Sequence, residues 1–123
     1  MSNISVGQRG EDIAVEYLKN HGYKVLDRNF KSRRWGEIDI VATKDDVLVF
    51  IEVKTREGTK YGEPVEAVTP FKLRALKRTG QYYQMEHPDL PEALRMDVVS
   101  IILNPETQES LEIKLFEDAQ CYN

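Results

Sequence analysis

Val47-Leu48-Val49-Phe50-Ile51 is followed at once by Glu52-Val53-Lys54, and this join restricts the fold more than any other segment. Five consecutive apolar residues are too few to cross a bilayer or to make a buried helix. They suit a central β-strand covered on both faces, which then changes to strict alternation. In the alternating part Glu52 and Lys54 share one face, and Ile51 and Val53 share the other. A strand covered on both sides needs a layer above and a layer below it.

The rest of the chain supplies those layers. A helix is expected from about Gly7 to His21, with Ser5 as its cap, Ile13, Ala14, Tyr17 and Leu18 as an apolar stripe, and Gly22 as a stop. A strand from Tyr23 to Phe30 leads into a basic turn, Lys31-Ser32-Arg33-Arg34-Trp35-Gly36. Strands from Glu37 to Thr43 and Val47 to Thr55 flank a turn at Asp45-Asp46. A loop carrying Gly58, Gly62 and Pro64 ends at Thr69-Pro70, a cap followed by proline at the first helical position. The second helix runs to about Met85, with Phe71, Leu73, Leu76 and Tyr83 as its apolar positions. Arg95 to Leu103 and Leu111 to Phe116 close the chain as strands joined through Asn104-Pro105. The expected order is αβββαββ: an α/β protein of the α+β kind, one mixed sheet with helices packed on it, in a single domain over residues 1–123.

Charge and cysteine usage narrow the function classes. The net charge is -4, but residues 1–82 hold 15 basic against 12 acidic side chains, and residues 83–123 hold 2 against 9. A polyanion can meet the basic part while the acidic part faces away; solvation of a surface explains the same runs equally well. Cys121 is the single cysteine, which excludes an internal disulfide and suits a reducing cytoplasm. With His21 and His87 it makes too scattered a set for zinc. No membrane segment is expected, and Met1 to Ser5 lacks the basic and apolar blocks of a signal peptide.

The informative acids lie in two neighbouring strands. If Asp45-Asp46 is a two-residue hairpin turn, Lys44 pairs with Val47, Asp39 lies opposite Glu52, and Glu37 lies opposite Lys54. Opposed side chains have Cβ atoms about 5 Å apart. Two carboxylates at that distance repel by roughly 3 kcal/mol at an effective dielectric near 20. Such a pair shares a proton, meets a cationic side chain such as Lys54 or Arg56, or holds a divalent ion. Hard oxygen donors favour magnesium or manganese. Gly7-x-x-Gly10-Glu11 adds a third acid at the head of the first helix, where two glycines permit close backbone approach. An acid there also suits the helix dipole. Glu112-Ile113-Lys114 repeats the Glu-x-Lys spacing without a second acid beside it, so that spacing carries nothing alone.

Gly10-Glu11-Asp12-Ile13-Ala14, Gly36-Glu37-Ile38-Asp39-Ile40-Val41 and Phe50-Ile51-Glu52-Val53-Lys54-Thr55-Arg56 together resemble the YraN-like bacterial proteins, an uncharacterised family of the PD-(D/E)XK nuclease superfamily. That family is similar to the archaeal Holliday-junction resolvases. The resemblance implies a restriction-endonuclease-like core and a magnesium- or manganese-dependent endonuclease acting on DNA, including branched or damaged DNA in repair or recombination. It implies catalytic roles for Glu11, Asp39, Glu52 and Lys54. Asp39, Glu52 and the Val53 carbonyl would hold the metal, with Glu11 binding through water or at a second ion. Two-strand cleavage by such an enzyme implies a homodimer. Contacts to nucleic acid are expected from Arg33, Arg34 and Trp35 on the basic turn, Arg56 and Lys60 beside the loop, and Lys72 and Arg78 on the second helix. Asp97 in Arg95-Met96-Asp97 reads as structural. A noncatalytic DNA-binding or adaptor module on the same fold remains the alternative.

Overall fold

The computed structural model describes residues 4–58, 60 and 62–119; Cys121 lies outside them. The elements are α1 (Val6–Asn20), β1 (Lys24–Ser32), β2 (Gly36–Lys44), β3 (Val47–Glu57), α2 (Pro70–Glu86), β4 (Leu94–Leu103) and β5 (Ser110–Phe116). This is the expected αβββαββ order, an α/β arrangement with one mixed sheet. The five strands form one mixed sheet in the order β1-β2-β3-β4-β5. Only β3 and β4 run parallel, and α2 makes the crossover that a parallel pair requires.

Local chemistry sets the element ends. Ser5 caps α1 by accepting the Gln8 amide at 3.1 Å, and Thr69 caps α2 by accepting the Lys72 amide at 3.2 Å. Asp45 and Asp46 take φ of 50° and 62°, the left-handed pair that a tight two-residue hairpin requires. Lys44 accordingly pairs with Val47, as expected. A 3-10 turn over Pro64–Ala67 occupies part of the segment read as loop.

Each face of the sheet carries its own core. Ala14, Val15 and Leu18 of α1 pack on Ile40, Ala42, Val49, Ile51 and Val53. Leu73, Leu76 and Tyr83 of α2 pack on the opposite face with Val41, Leu48 and Phe50. Two glycines bring the helices close. A Cβ on Gly10 would overlap Thr55 of β3, and a Cβ on Gly80 would overlap the Phe50 ring. Gly7, also expected to permit close approach, has open space around it.

Phe71 departs from its expected core position. It is 72% exposed, because helical spacing sets it on the side of α2 away from Leu73, Leu76 and Tyr83. Asp97 is fully buried and structural. It accepts from Tyr23 at 2.7 Å, from Arg95 Nε at 2.9 Å and from the Asp118 amide at 2.9 Å, which ties β4 to the start of β1 and the end of β5.

Candidate active site

The β2–β3 ladder runs from Lys44/Val47 to Ile40/Ile51 and ends there. The expected cross-strand pairs Asp39/Glu52 and Glu37/Lys54 are therefore not made as ladder pairs. Beyond Ile40, the first part of β2 stays paired only with β1, through Ile38/Phe30, Glu37/Lys31 and Gly36/Ser32. In place of a further backbone bond, Asp39 Oδ2 accepts the Val53 amide at 2.8 Å. Ordinary pairing would force two carboxylates into register; the splay puts the Asp39 side chain into the gap between the strands.

Asp39 and Glu52 still interact strongly. The Glu52 carboxyl is pushed up to about 7, first by burial, then by the negative charge of Asp39 and by a hydrogen bond with it. Lys54 and Lys72 pull in the other direction and are outweighed. Lys54 Nζ lies 3.7 Å from Glu52 Oε1, so its ion pair is with its neighbour on the same strand face and not with Glu37, which is exposed. Both partners are partly exposed, which limits what that pair contributes to stability.

Glu11 reaches the same neighbourhood from α1. Because α1 begins at Val6, Glu11 lies beyond the first turn and the helix-dipole reading loses its basis. The Gly10–Thr55 contact presses this part of α1 onto β3. Burial, and then the Asp39 charge, raise the Glu11 carboxyl against the pull of Arg28. Arg28 Nη2 lies 3.7 Å from Glu11 and 2.7 Å from Asp12. Asp39 is thus the shared neighbour of both raised acids. Among the described residues, no three acidic, histidine or cysteine side chains converge as a ready-made metal cage. An open cleft of about 600 Å³ reaches Glu11 and Arg28, and a separate cavity of about 150 Å³ is lined by Glu52, Lys72 and Trp35.

The expected nucleic-acid contacts divide by position. Arg33, Arg34, Lys72 and Arg78 are exposed, as is Lys60, and Trp35 is half-buried. Arg34 lies over the Trp35 ring at 4.8 Å and Arg78 at 5.9 Å. Thr79 Oγ1 donates to the Trp35 carbonyl at 2.8 Å, fixing the basic turn to α2. Arg56 follows Glu52 and Lys54 on the same strand face, half-buried, with its Nε lacking a hydrogen-bond partner. The sequence pattern did not reveal Phe71, which lines the Glu52 cavity. Its place one residue after the helix-opening proline was the available signal.

Residues 10–101 match the family model described as uncharacterised protein family UPF0102. The chain belongs to that family. This bears out the YraN-like resemblance carried by the three motifs. A UPF0102 protein of Syntrophomonas wolfei is 46% identical over 101 residues, covering 82% of this chain and 87% of its own. One from Caldicellulosiruptor saccharolyticus is 41% identical over 119 residues, covering 97% and 99%. Among solved structures, an EndoMS–dsDNA2 complex is similar at a TM-score of 0.44 and 18% identity, over 83% of this chain. The chain spans 38% of that protein's length. No helix of the described residues is long and apolar enough to cross a membrane.

Proposed function

We propose that this UPF0102 protein is a magnesium- or manganese-dependent DNA endonuclease, with Asp39 and Glu52 at its centre. One observation carries the reading: Glu52 is raised to about 7 beside Asp39 although two lysines act on it. The pair lacks positive charge that the protein itself does not supply. Two hard carboxylates fit magnesium, which characteristically binds through one or two protein carboxylates and takes its other ligands from water and phosphate. The lack of a three-acid cage is compatible with that mode.

Asp39 and Glu52 would hold the ion, with the Val53 carbonyl as an added ligand and Glu11 acting through water. The ion would supply a Lewis acid for the scissile phosphate and lower the pKa of a water molecule. The chain's own groups do the rest. The Val53 amide donates to Asp39 Oδ2 and so holds that carboxylate in place. Glu52 would hold the ion as the carboxylate, its proton passing to solvent. Lys54, held beside Glu52, orients the attacking water or offsets charge developing on the phosphate. Arg56 stands farther along the same face, and Arg33, Arg34, Lys60, Lys72 and Arg78 would neutralise flanking phosphates.

Incubation with linear, flapped and four-way DNA in manganese tests the reading. Cleavage is expected from the wild type and lost in Asp39→Ala and Glu52→Ala. Cleavage that persists in both variants indicates a contaminant and refutes the proposal. Binding without cleavage favours the noncatalytic module. A homodimer, action on branched DNA in repair or recombination, and a cytoplasmic location belong to the same proposal.

A further inference from the structure

Trp35 borders two cavities. On one side lies the space of about 150 Å³ that contains Glu52, Phe71 and Lys72. On the other, a groove of about 480 Å³ runs between the β1–β2 turn and the far half of α2, lined by Phe30, Lys31, Arg33, Arg34, Tyr82 and Met85. Aromatic and cationic side chains alternate along this path. Phe71 and Lys72 stand at the Glu52 end. Trp35 follows with Arg34 and Arg78 over its ring. Phe30 and Tyr82 then lie with ring centroids 6.4 Å apart. Phe71 and Met85 are 72% and 73% exposed, although both are large apolar side chains. At the far end Tyr82 donates to Glu86 at 3.0 Å, and an acid closes the positive run.

We infer that this path is a track for an unpaired, single-stranded segment of nucleic acid leading away from Glu52. The inference rests on the nuclease reading for its direction and deepens it by naming the substrate class. Cations matched to successive phosphates, interleaved with aromatic faces, are what single strands require. A base stacks on a side chain only when its own face is open, and in a duplex both faces are covered by neighbouring pairs. The cavity at Phe71 has room for one ring system and not for a base pair. Phe71 is 72% exposed, so most of its ring surface is already accessible to a base. At Trp35 a base takes the indole face as Arg34 and Arg78 turn to the phosphates. The preferred DNA is one whose scissile phosphate adjoins an unpaired tail.

Fluorescence anisotropy in calcium, without turnover, tests this with oligothymidine of about 12 nucleotides against duplex of equal length. The wild type is expected to bind the single strand at least about tenfold more tightly, and Phe71→Ala to reduce that affinity about tenfold. Phe71→Tyr, which keeps the aromatic face, is expected to restore it. A 2-aminopurine base in the strand should lose fluorescence on binding, and lose less with Phe71→Ala. Because Phe71 is exposed, its variants are expected to melt with the wild type. Equal affinity for duplex, or a Phe71→Ala variant that binds and quenches normally, overturns the inference. Single-strand binding that persists when no DNA is cleaved in manganese refutes the hydrolase reading alone and leaves the track standing.

Discussion

Asp39 Oδ2 takes the Val53 amide at 2.8 Å at the point where β2 and β3 cease to pair. One acid thereby does a backbone carbonyl's work while staying beside a second acid. That position ties the proposed chemistry to the local fold, and the two can be separated by substitution. Asp39→Asn keeps an oxygen for the Val53 amide and removes the charge, whereas Asp39→Ala removes both. Both variants are expected to lose activity about a hundredfold or more. Only Asp39→Ala should also lose roughly 1–3 kcal/mol of stability by leaving the amide unpaired, as read by urea denaturation.

Glu52 predicts a pH dependence of stability. Its folded value of about 7 lies above its ordinary 4.5, so between those values the folded protein holds a proton that the unfolded chain has released. Its contribution to stability is fully present below pH 4.5 and is lost as pH rises through about 7. In the absence of divalent cations, the melting temperature of the wild type relative to Glu52→Gln should fall across this interval. A flat difference would show that Glu52 titrates normally.

The Gly10–Thr55 contact predicts a pair of effects on α1. Gly10→Ala places a methyl group into Thr55 and should destabilise the protein by about 1–3 kcal/mol. Adding Thr55→Ala removes the overlapping Oγ1 and Cγ2 while leaving Cβ, and should recover part of that loss. Denaturant midpoints of the two variants measure it.

Asp97 predicts damage without chemistry. Asp97→Ala leaves Arg95 and Tyr23 without their shared acceptor and should cost roughly 3–5 kcal/mol in chemical denaturation. At temperatures where the variant stays folded, manganese affinity should match the wild type, since Asp97 pairs with Ile51 and its side chain falls on the sheet face opposite Glu52.

The fold was legible because its signals are local. Ser5 and Thr69 cap the helices they precede, the apolar run at Val47–Ile51 is central to the sheet, and the Asp45-Asp46 turn fixes the β2–β3 register. Register alone could not show where pairing stops. The splay at Asp39 arises from a side chain competing for a backbone donor, a tertiary event that strand periodicity does not encode. Lys54 accordingly has no ladder partner in Glu37, and its ion pair is with Glu52, the residue that alternation puts on the same face. Phe71 is apolar, but it stands two residues before Leu73, about 200° round the helix from it, so helical spacing itself turns it away from the core face. The acids of the candidate site and their mutual repulsion were nameable from sequence; that burial comes first among the causes raising Glu52 was not.

Calorimetric titration with manganese near neutral pH addresses the centre of the account most directly. The wild type is expected to take up the ion and release a proton from Glu52 as it does so, with the release fading well above pH 7. Asp39→Ala and Glu52→Gln are expected to abolish the uptake. An absence of uptake by the wild type, or uptake unchanged in both variants, would contradict it.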